Sequence, residues 1–335
     1  MTRGFLLGKF MPPHAGHVQL WEGASRLVDE LTILVCWLPD DPIPGTLRME
    51  WVNDLAPNAR VVGFGEVVPQ EPEESPDFWT VWRKIVKSVH PEPIDLLFAG
   101  ERYGAELACH VGGRFVGLGG RIMEADRAGI GSVSATAIRT DPWRYRRWLP
   151  GPVRAFYSWT VCLHGVESTG KSTLAERLAR HFDTVAAAEY GRIHCEVHGA
   201  DCTREDLLLI GRAQQGLIEA SKPWCNRLVI TDTDALMTAA WSEMMISEIP
   251  DELLEFEKAD LYLLLEPDVP WIDDGTRMYG GDERTRFHQI AAAILERSGV
   301  RFATVGGNWD QRFERSIQLI AQFLPHGPEY FPRSY

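Results

Sequence analysis

At 335 residues, 45% of them apolar and 24% charged, the chain is long enough for two domains with separate cores. Its net charge of −13 argues against a non-specific surface for nucleic acid or anionic membrane, because both need basic patches. It leaves nucleotides open, since local donors hold those, and it suits a monomer or a homo-oligomer equally.

The first strand reads over Phe5–Phe10 and runs straight into Met11-Pro-Pro-His14-Ala-Gly16-His17. A helix follows to about Asp29, with Val18, Trp21, Ala24, Leu27 and Val28 on one face. Leu31–Leu38 is a second, largely apolar strand of the kind that a parallel sheet buries. Leu47–Leu55 is expected to be helical, Val61–Phe64 a short strand, Phe78–Val89 a helix, Asp95–Ala99 a strand and Arg114–Gly117 an edge strand. Such alternation implies a doubly wound α/β sheet. Pro69–Pro76 (PQEPEESP) reads as a solvated acidic loop. Pro150-Gly-Pro152 is a natural boundary, so domains 1–150 and 151–335 are expected.

His14 and His17 stand one turn apart where a strand gives way to a helix, a place where free N–H groups and the helix dipole favour anions. The pair reads as a polyphosphate cradle, as a metal pair or as two surface histidines. The residues before it, from Gly8-Lys9-Phe10, extend the pattern to G-x-F-x-P-x-H-x-G-H. Near the end of the same domain, Val133-Ser134-Ala-Thr136-Ala-Ile-Arg139 sets two hydroxyls and an arginine on a loop entering a helix. Ser134 can cap that helix, and Thr136 and Arg139 share a face. Together the two motifs resemble the nucleotidyltransferase superfamily, with its HxGH and ISxTxIR motifs. The resemblance implies ATP contacts at Gly8, Lys9, Phe10, His14, His17, Ser134, Thr136 and Arg139, with His14, His17 and Arg139 catalytic. Val133 replaces the usual Ile. Phe98-Ala-Gly-Glu101-Arg-Tyr103 resembles the superfamily's S-E-x-Y region, with Gly100 in place of Ser.

Beyond Trp143-Arg-Tyr-Arg-Arg-Trp148, a basic and aromatic connector, Thr160–Leu163 is strand-like. Gly165-Val-Glu167-Ser168-Thr169-Gly170-Lys171-Ser172-Thr173 then fits the phosphate-loop pattern G-x-x-x-x-G-K-[ST]. Leu174, Ala175, Leu178, Ala179 and Phe182 follow at helical spacing. Backbone N–H groups can wrap a polyphosphate there, Lys171 can reach the β- and γ-phosphates, and Ser172 can ligate Mg²⁺. Strands are expected at Thr184–Ala188, Leu228–Thr231, Leu261–Glu266 and Phe302–Val305, with helices at Arg204–Lys222, Arg284–Arg297 and from about Asp310. Polar groups gather at the strand ends, where open α/β sheets bind ligands. Asp232 stands where a Walker-B acid would hold Mg²⁺. Glu189 can take a proton from a hydroxyl, with Asp232 as its rival for that role. Trp271, Asp273 and Asp274 suit a flat cationic ring and ribose, and Arg277 suits a transferred phosphoryl group. Each carboxylate also reads as a cap or loop charge. His194-Cys195-x-x-His198-x-x-x-Cys202 reads as helix and loop, since structural zinc sites usually pair short spacings on separate elements.

EYGR after the second strand, DTD after the third, WIDDGTR and GxESxGKST together resemble the ribosylnicotinamide kinase domain of NadR-type proteins, and the front half resembles their NMN adenylyltransferase domain. The resemblance implies a bifunctional enzyme of NAD biosynthesis: ATP phosphorylates ribosylnicotinamide to NMN, and a second ATP adenylylates NMN to NAD, with Mg²⁺ as cofactor. It implies substrate contacts at Trp79, Trp82, Glu189, Tyr190, Arg192, Asp234, Trp271, Asp273 and Asp274. A helix-turn-helix ahead of the first strand, present in some relatives, is not expected here, nor is a nucleic-acid partner. Two alternatives stand beside this reading: a kinase–transferase fusion acting on another cofactor precursor, and a nucleotide-sensing regulator with an inactive transferase half. The six cysteines form no C-x-x-C pair, no signal peptide is visible and no apolar run reaches the roughly 18 residues of a membrane span, so the expected setting is the reduced cytoplasm.

Overall fold

A computed structural model describes residues 1–100, 103–118, 123–126, 129–271 and 278–324, and divides the chain into two units, Met1–Val153 and Arg154–Tyr335. In the first unit the elements run β1 (Arg3–Gly8), α1 (Ala15–Ser25), β2 (Glu30–Cys36), α2 (Gly45–Leu55), β3 (Arg60–Phe64), α3 (Phe78–Val89), β4 (Leu96–Ala99), α4 (Tyr103–Val111) and β5 (Arg114–Gly117). A hairpin pair, β6 (Met123–Asp126) and β7 (Gly129–Ser132), precedes α5 (Ala135–Thr140), and α6 (Gly151–Tyr157) runs across the boundary into the second unit. The main sheet has order β3-β2-β1-β4-β5, with every pairing parallel. Its strands are near-continuous apolar runs because helices cover both faces. Phe5, Leu34, Leu97 and Val86 fill one side; Leu6, Ile33, Val35 and Trp21 fill the other.

The second unit holds β8 (Trp159–His164), α7 (Lys171–His181), β9 (Val185–Ala187), α8 (Tyr190–His198), α9 (Arg204–Ser221), β10 (Leu228–Thr231), α10 (Ala235–Ile246), α11 (Asp251–Glu255), β11 (Leu261–Leu265), α12 (Gly281–Arg297), β12 (Phe302–Val305) and α13 (Trp309–Phe323). Its sheet, in the order β12-β11-β8-β10-β9, is again wholly parallel. Both units are therefore α/β with parallel sheets, as the alternating pattern implies. The helix α10 has no polar stripe to betray it. It is buried on nearly all sides, from Ala235 to Ala240, so it shows no helical periodicity. No described helix is long and apolar enough to cross a membrane.

Candidate functional sites

In the first unit, β1 ends at Gly8 and the chain turns through Phe10, at φ 45, into α1. A Cβ at Gly8 would stand 2.9 Å from the Phe10 ring, so glycine is needed for that turn. His14 is the N-cap of α1. Its Nδ1 accepts the Gly16 N–H at 3.1 Å, while His17 Nδ1 accepts the His14 N–H at 3.3 Å. Two histidines thus form a reciprocal cap. The rings stack with centroids 3.9 Å apart, and Phe10 meets His17 edge-on at 5.1 Å. Because each Nδ1 accepts, each neutral imidazole carries its proton on Nε2, and two N–H donors result. Ser134 caps α5 through the Ala137 N–H at 3.2 Å. Arg139 donates to the Met11 carbonyl and, at 3.3 Å, to Thr136 Oγ1. The second motif is therefore fastened to the loop that carries the first, 128 residues earlier.

His14 is 4% exposed, and burial lowers its pKa to about 4 from an ordinary 6.5. Burial also lowers His17, and His14 lowers it further. The unfolded chain takes up a proton at His14 below about pH 6.5, whereas the folded chain takes it only near pH 4. Stability is therefore full above about pH 6.5 and falls as pH drops toward 4, by about 3 kcal/mol for a shift of this size. Denaturant unfolding from pH 7 to 4 checks this: His14→Asn should flatten the decline by that amount, and parallel curves would contradict it.

Arg48 was not legible as a site residue. It is fully buried on α2, and its guanidinium donates to Lys9 O at 2.6 Å, to Cys36 O at 3.4 Å and to Asp41 Oδ2 at 2.6 Å. It ties the ends of β1 and β2 beneath the histidine loop. The usable signal is a charged residue at the apolar-face spacing of Arg48, Trp51 and Val52. Arg48→Ala leaves the Asp41 carboxylate with only the Leu38 N–H, at 3.1 Å, and the more distant Lys9 ammonium, so a loss of about 3 kcal/mol is expected in denaturant titration, and a loss near zero would show the bracket dispensable. Lys9 Nζ lies 4.0 Å from Asp41. Trp82 is 8% exposed, with its Nε1 donating to Pro69 O at 3.0 Å, so it holds down the 65–77 loop. Trp79 is half-buried and stacks on His110 at 4.8 Å. In the aromatic connector Trp143 is buried and Arg147 lies 4.5 Å over the Trp148 ring. Glu101 lies outside the described residues.

In the second unit, Gly165–Ser172 loops between β8 and α7. Gly170, at φ 82, is the N-cap, and a Cβ there would meet the Trp309 ring at 2.2 Å. Thr169 Oγ1 donates to Val166 O at 2.8 Å, and Lys171 Nζ curls over the same carbonyl at 3.2 Å. Arg312, 1% exposed, braces the loop from outside by donating to Thr169 O at 3.3 Å and Glu266 O at 2.9 Å. Glu167 accepts the N–H groups of Met278 and Tyr279 at 3.0–3.2 Å.

A cleft of about 550 Å³ opens over the loop. Its lining includes the polar Lys171, Ser172, Glu189, Arg192 and Asp232, and the apolar Leu207, Ile210, Trp241 and Met245, which pack together with Cys195 and Cys202, whose sulfurs are 3.9 Å apart. Asp232 is 3% exposed, and its Oδ1 has no hydrogen-bond partner among the described residues. Burial raises the pKa of Glu189; Lys171 lowers it and Asp232 raises it again. Arg192 stands 3.8 Å from Glu189.

Asp234, expected at the substrate, does not line this cleft, and its carboxylate makes contacts within the fold. Its Oδ1 caps α10, accepting from Leu236 and Met237 at 3.0 and 3.3 Å, and its Oδ2 accepts the Tyr262 hydroxyl at 2.5 Å. Tyr190 packs with Leu207 and Ile210, and its N–H donates to Gln214. Trp271 sits beside Gly280, its ring 3.6 Å from where a Cβ would be. Asp273, Asp274 and Arg277 lie outside the described residues.

The model of an AAA domain family matches residues 160–312. The "Trifunctional NAD biosynthesis/regulator protein NadR" of Escherichia coli (strain K12) is 30% identical over 355 residues, spanning 96% of this chain and 83% of that protein. The chain belongs to the NadR family. The NadR of Salmonella typhimurium (strain LT2) is 29% identical over the same shares. Two crystal structures of NadR proteins have the same fold. One, in complex with NR, superposes with a TM-score of 0.73 at 22% identity, covering 100% of this chain and 98% of that one. The other, in complex with NAD and AMP-PNP, gives 0.72 at 21%, with the same coverage. In this NadR-family chain the histidine loop and the phosphate-loop motif each sit at the C-terminal edge of a parallel sheet.

Proposed function

We propose that this chain makes NAD in two ATP-dependent steps. The unit from residue 151 to 335 transfers the γ-phosphoryl group of ATP to the 5′-hydroxyl of ribosylnicotinamide, giving NMN. The unit from 1 to 150 joins NMN to the AMP part of ATP and releases pyrophosphate. One observation carries the reading furthest: a single cleft gathers the phosphate loop, a buried carboxylate oxygen without a partner and a glutamate whose pKa is raised by burial. The relatives' description as NAD biosynthesis proteins, and solved NadR structures holding NR, NAD and AMP-PNP, support it.

In the kinase half, Lys171 and the loop N–H groups hold the phosphates. Ser172 and the bare Oδ1 of Asp232 offer the hard oxygen donors that suit Mg²⁺. Held by these two groups, Mg²⁺ would supply charge neutralisation for the transferring phosphoryl oxygens. Glu189 takes the proton of the ribose hydroxyl, since burial brings its proton affinity toward the working range. The apolar lining of the cleft takes the ring, with Trp271, Asp273 and Asp274 on the nucleoside and Arg277 on the phosphoryl group.

In the transferase half the NMN phosphate is already ionised at neutral pH, so no general base is needed. Catalysis is positioning and charge stabilisation at the α-phosphate, by the Nε2–H groups of His14 and His17, Arg139, Ser134 and Thr136. Trp79 is the better placed of the tryptophan pair to meet the pyridine ring. The cytoplasm suits an enzyme whose cysteines are all unpaired thiols.

Supplying ribosylnicotinamide, ATP and Mg²⁺ and separating the products by chromatography tests the whole scheme. NMN, then NAD and pyrophosphate, are the expected products. Turnover of another nucleoside or mononucleotide, with none of these, would overturn it.

A further inference from the structure

Gln214 sits on the buried face of α9 and is 1% exposed. Both ends of its carboxamide are engaged. Oε1 accepts the Tyr190 N–H at 2.9 Å, while Nε2 faces Ala188 O at 3.1 Å, Thr231 Oγ1 at 3.3 Å and Thr233 O at 3.5 Å as its donor. Ala188 and Tyr190 are the chain neighbours of Glu189; Thr231 and Thr233 are those of Asp232. One amide thus brackets two of the cleft's carboxylates, Glu189 and Asp232, across the ends of two paired strands, β9 and β10. Thr233, at φ 100, is in a region that β-branched residues rarely adopt, and its carbonyl is also held by the Thr231 hydroxyl. A residue that only filled space would need bulk and no hydrogen bonds.

We propose that Gln214 is a positioning residue of the phosphoryl-transfer site, setting the separation between the proton-accepting Glu189 and the metal-holding Asp232 through the backbone beside each. The proposal rests on the kinase reading of this cleft. Gln214→Met keeps length and volume and removes every hydrogen bond. Gln214→Glu keeps the acceptor for Tyr190, loses the donor and adds a carboxylate near Glu189.

Both variants are made in the full chain and compared with the unaltered protein. Gln214→Met should lower kinase kcat about 10- to 100-fold, with KM for ATP and nucleoside within about threefold. Adenylyl transfer by the other unit should not change, which also reports that the chain is folded. Gln214→Glu should move the acidic limb of the kinase pH profile upward, because a neighbouring negative charge raises the Glu189 pKa further. A crystal structure of Gln214→Met should show the two carboxylates displaced relative to each other.

An unchanged kcat and pH profile, or carboxylates that stay in place, would overturn the proposal. Should the Met variant fail to fold, the separation of the two carboxylates in a crystal structure of the Glu variant decides. If the unaltered protein phosphorylates no nucleoside, the kinase reading falls alone, and the displaced or undisplaced carboxylates still decide the role of Gln214.

Discussion

Lys171→Ala is expected to reduce phosphoryl transfer to the nucleoside by ~10²–10³-fold in kcat while adenylyl transfer continues unchanged. Lys171 is the first residue of α7, and its ammonium group lies 3.2 Å from the Val166 carbonyl, curled over its own loop. On the proposed kinase reading, the same reach would carry it to the β- and γ-phosphates of a bound triphosphate, where it would act as a compact charge. The loop and helix N–H groups remain in the variant, so ground-state binding of ATP should weaken less than turnover. That split is the mark of an interaction that strengthens as the phosphoryl group leaves. ADP release with ribosylnicotinamide, and pyrophosphate release with NMN, should be measured on one preparation. Kinase turnover close to that of the unaltered protein would remove Lys171 from the mechanism.

The reciprocal result is expected for His17→Ala: adenylyl transfer falls by about 10²–10³-fold and the kinase is spared. On the proposed reading His17 has a structural and a chemical role, and the two are separable. Its Nδ1 closes the cap of α1 by accepting the His14 N–H, and its ring stacks against His14. Losing a cap costs about 1 kcal/mol. His17→Asn preserves an acceptor near the position of Nδ1 and lacks the distal Nε2–H donor. It should therefore restore the unfolding midpoint without restoring turnover. Recovery of both in the Asn variant would make His17 a capping residue only. If Lys171→Ala and His17→Ala each disabled both reactions in folded protein, two separate sites would be the wrong description.

The two strand-to-helix loops were legible because each is a local object. A strand, a glycine-containing turn and a helix start lie within about a dozen consecutive residues, and the chemistry there depends on backbone N–H groups that point along the chain direction. The parallel sheets were legible for a related reason: strands buried on both faces are apolar throughout, and helices on those faces keep one apolar stripe. Where a helix is buried all round, as at Ala235–Ile246, that stripe vanishes and the element was missed.

The amino-acid order alone thus determined that a histidine pair and a phosphate loop each begin a helix, and that each heads a parallel α/β unit. The folded chain decided which polar groups are spent on holding those units together. Asp234 is taken by Tyr262, 28 residues away; Arg139 reaches Met11, 128 residues away; Arg48 and Gln214 lock strand ends from the buried faces of helices. Hydrogen bonds between groups so distant along the chain leave no periodic trace. Only burial, which makes an unpaired polar group costly, selects the partner.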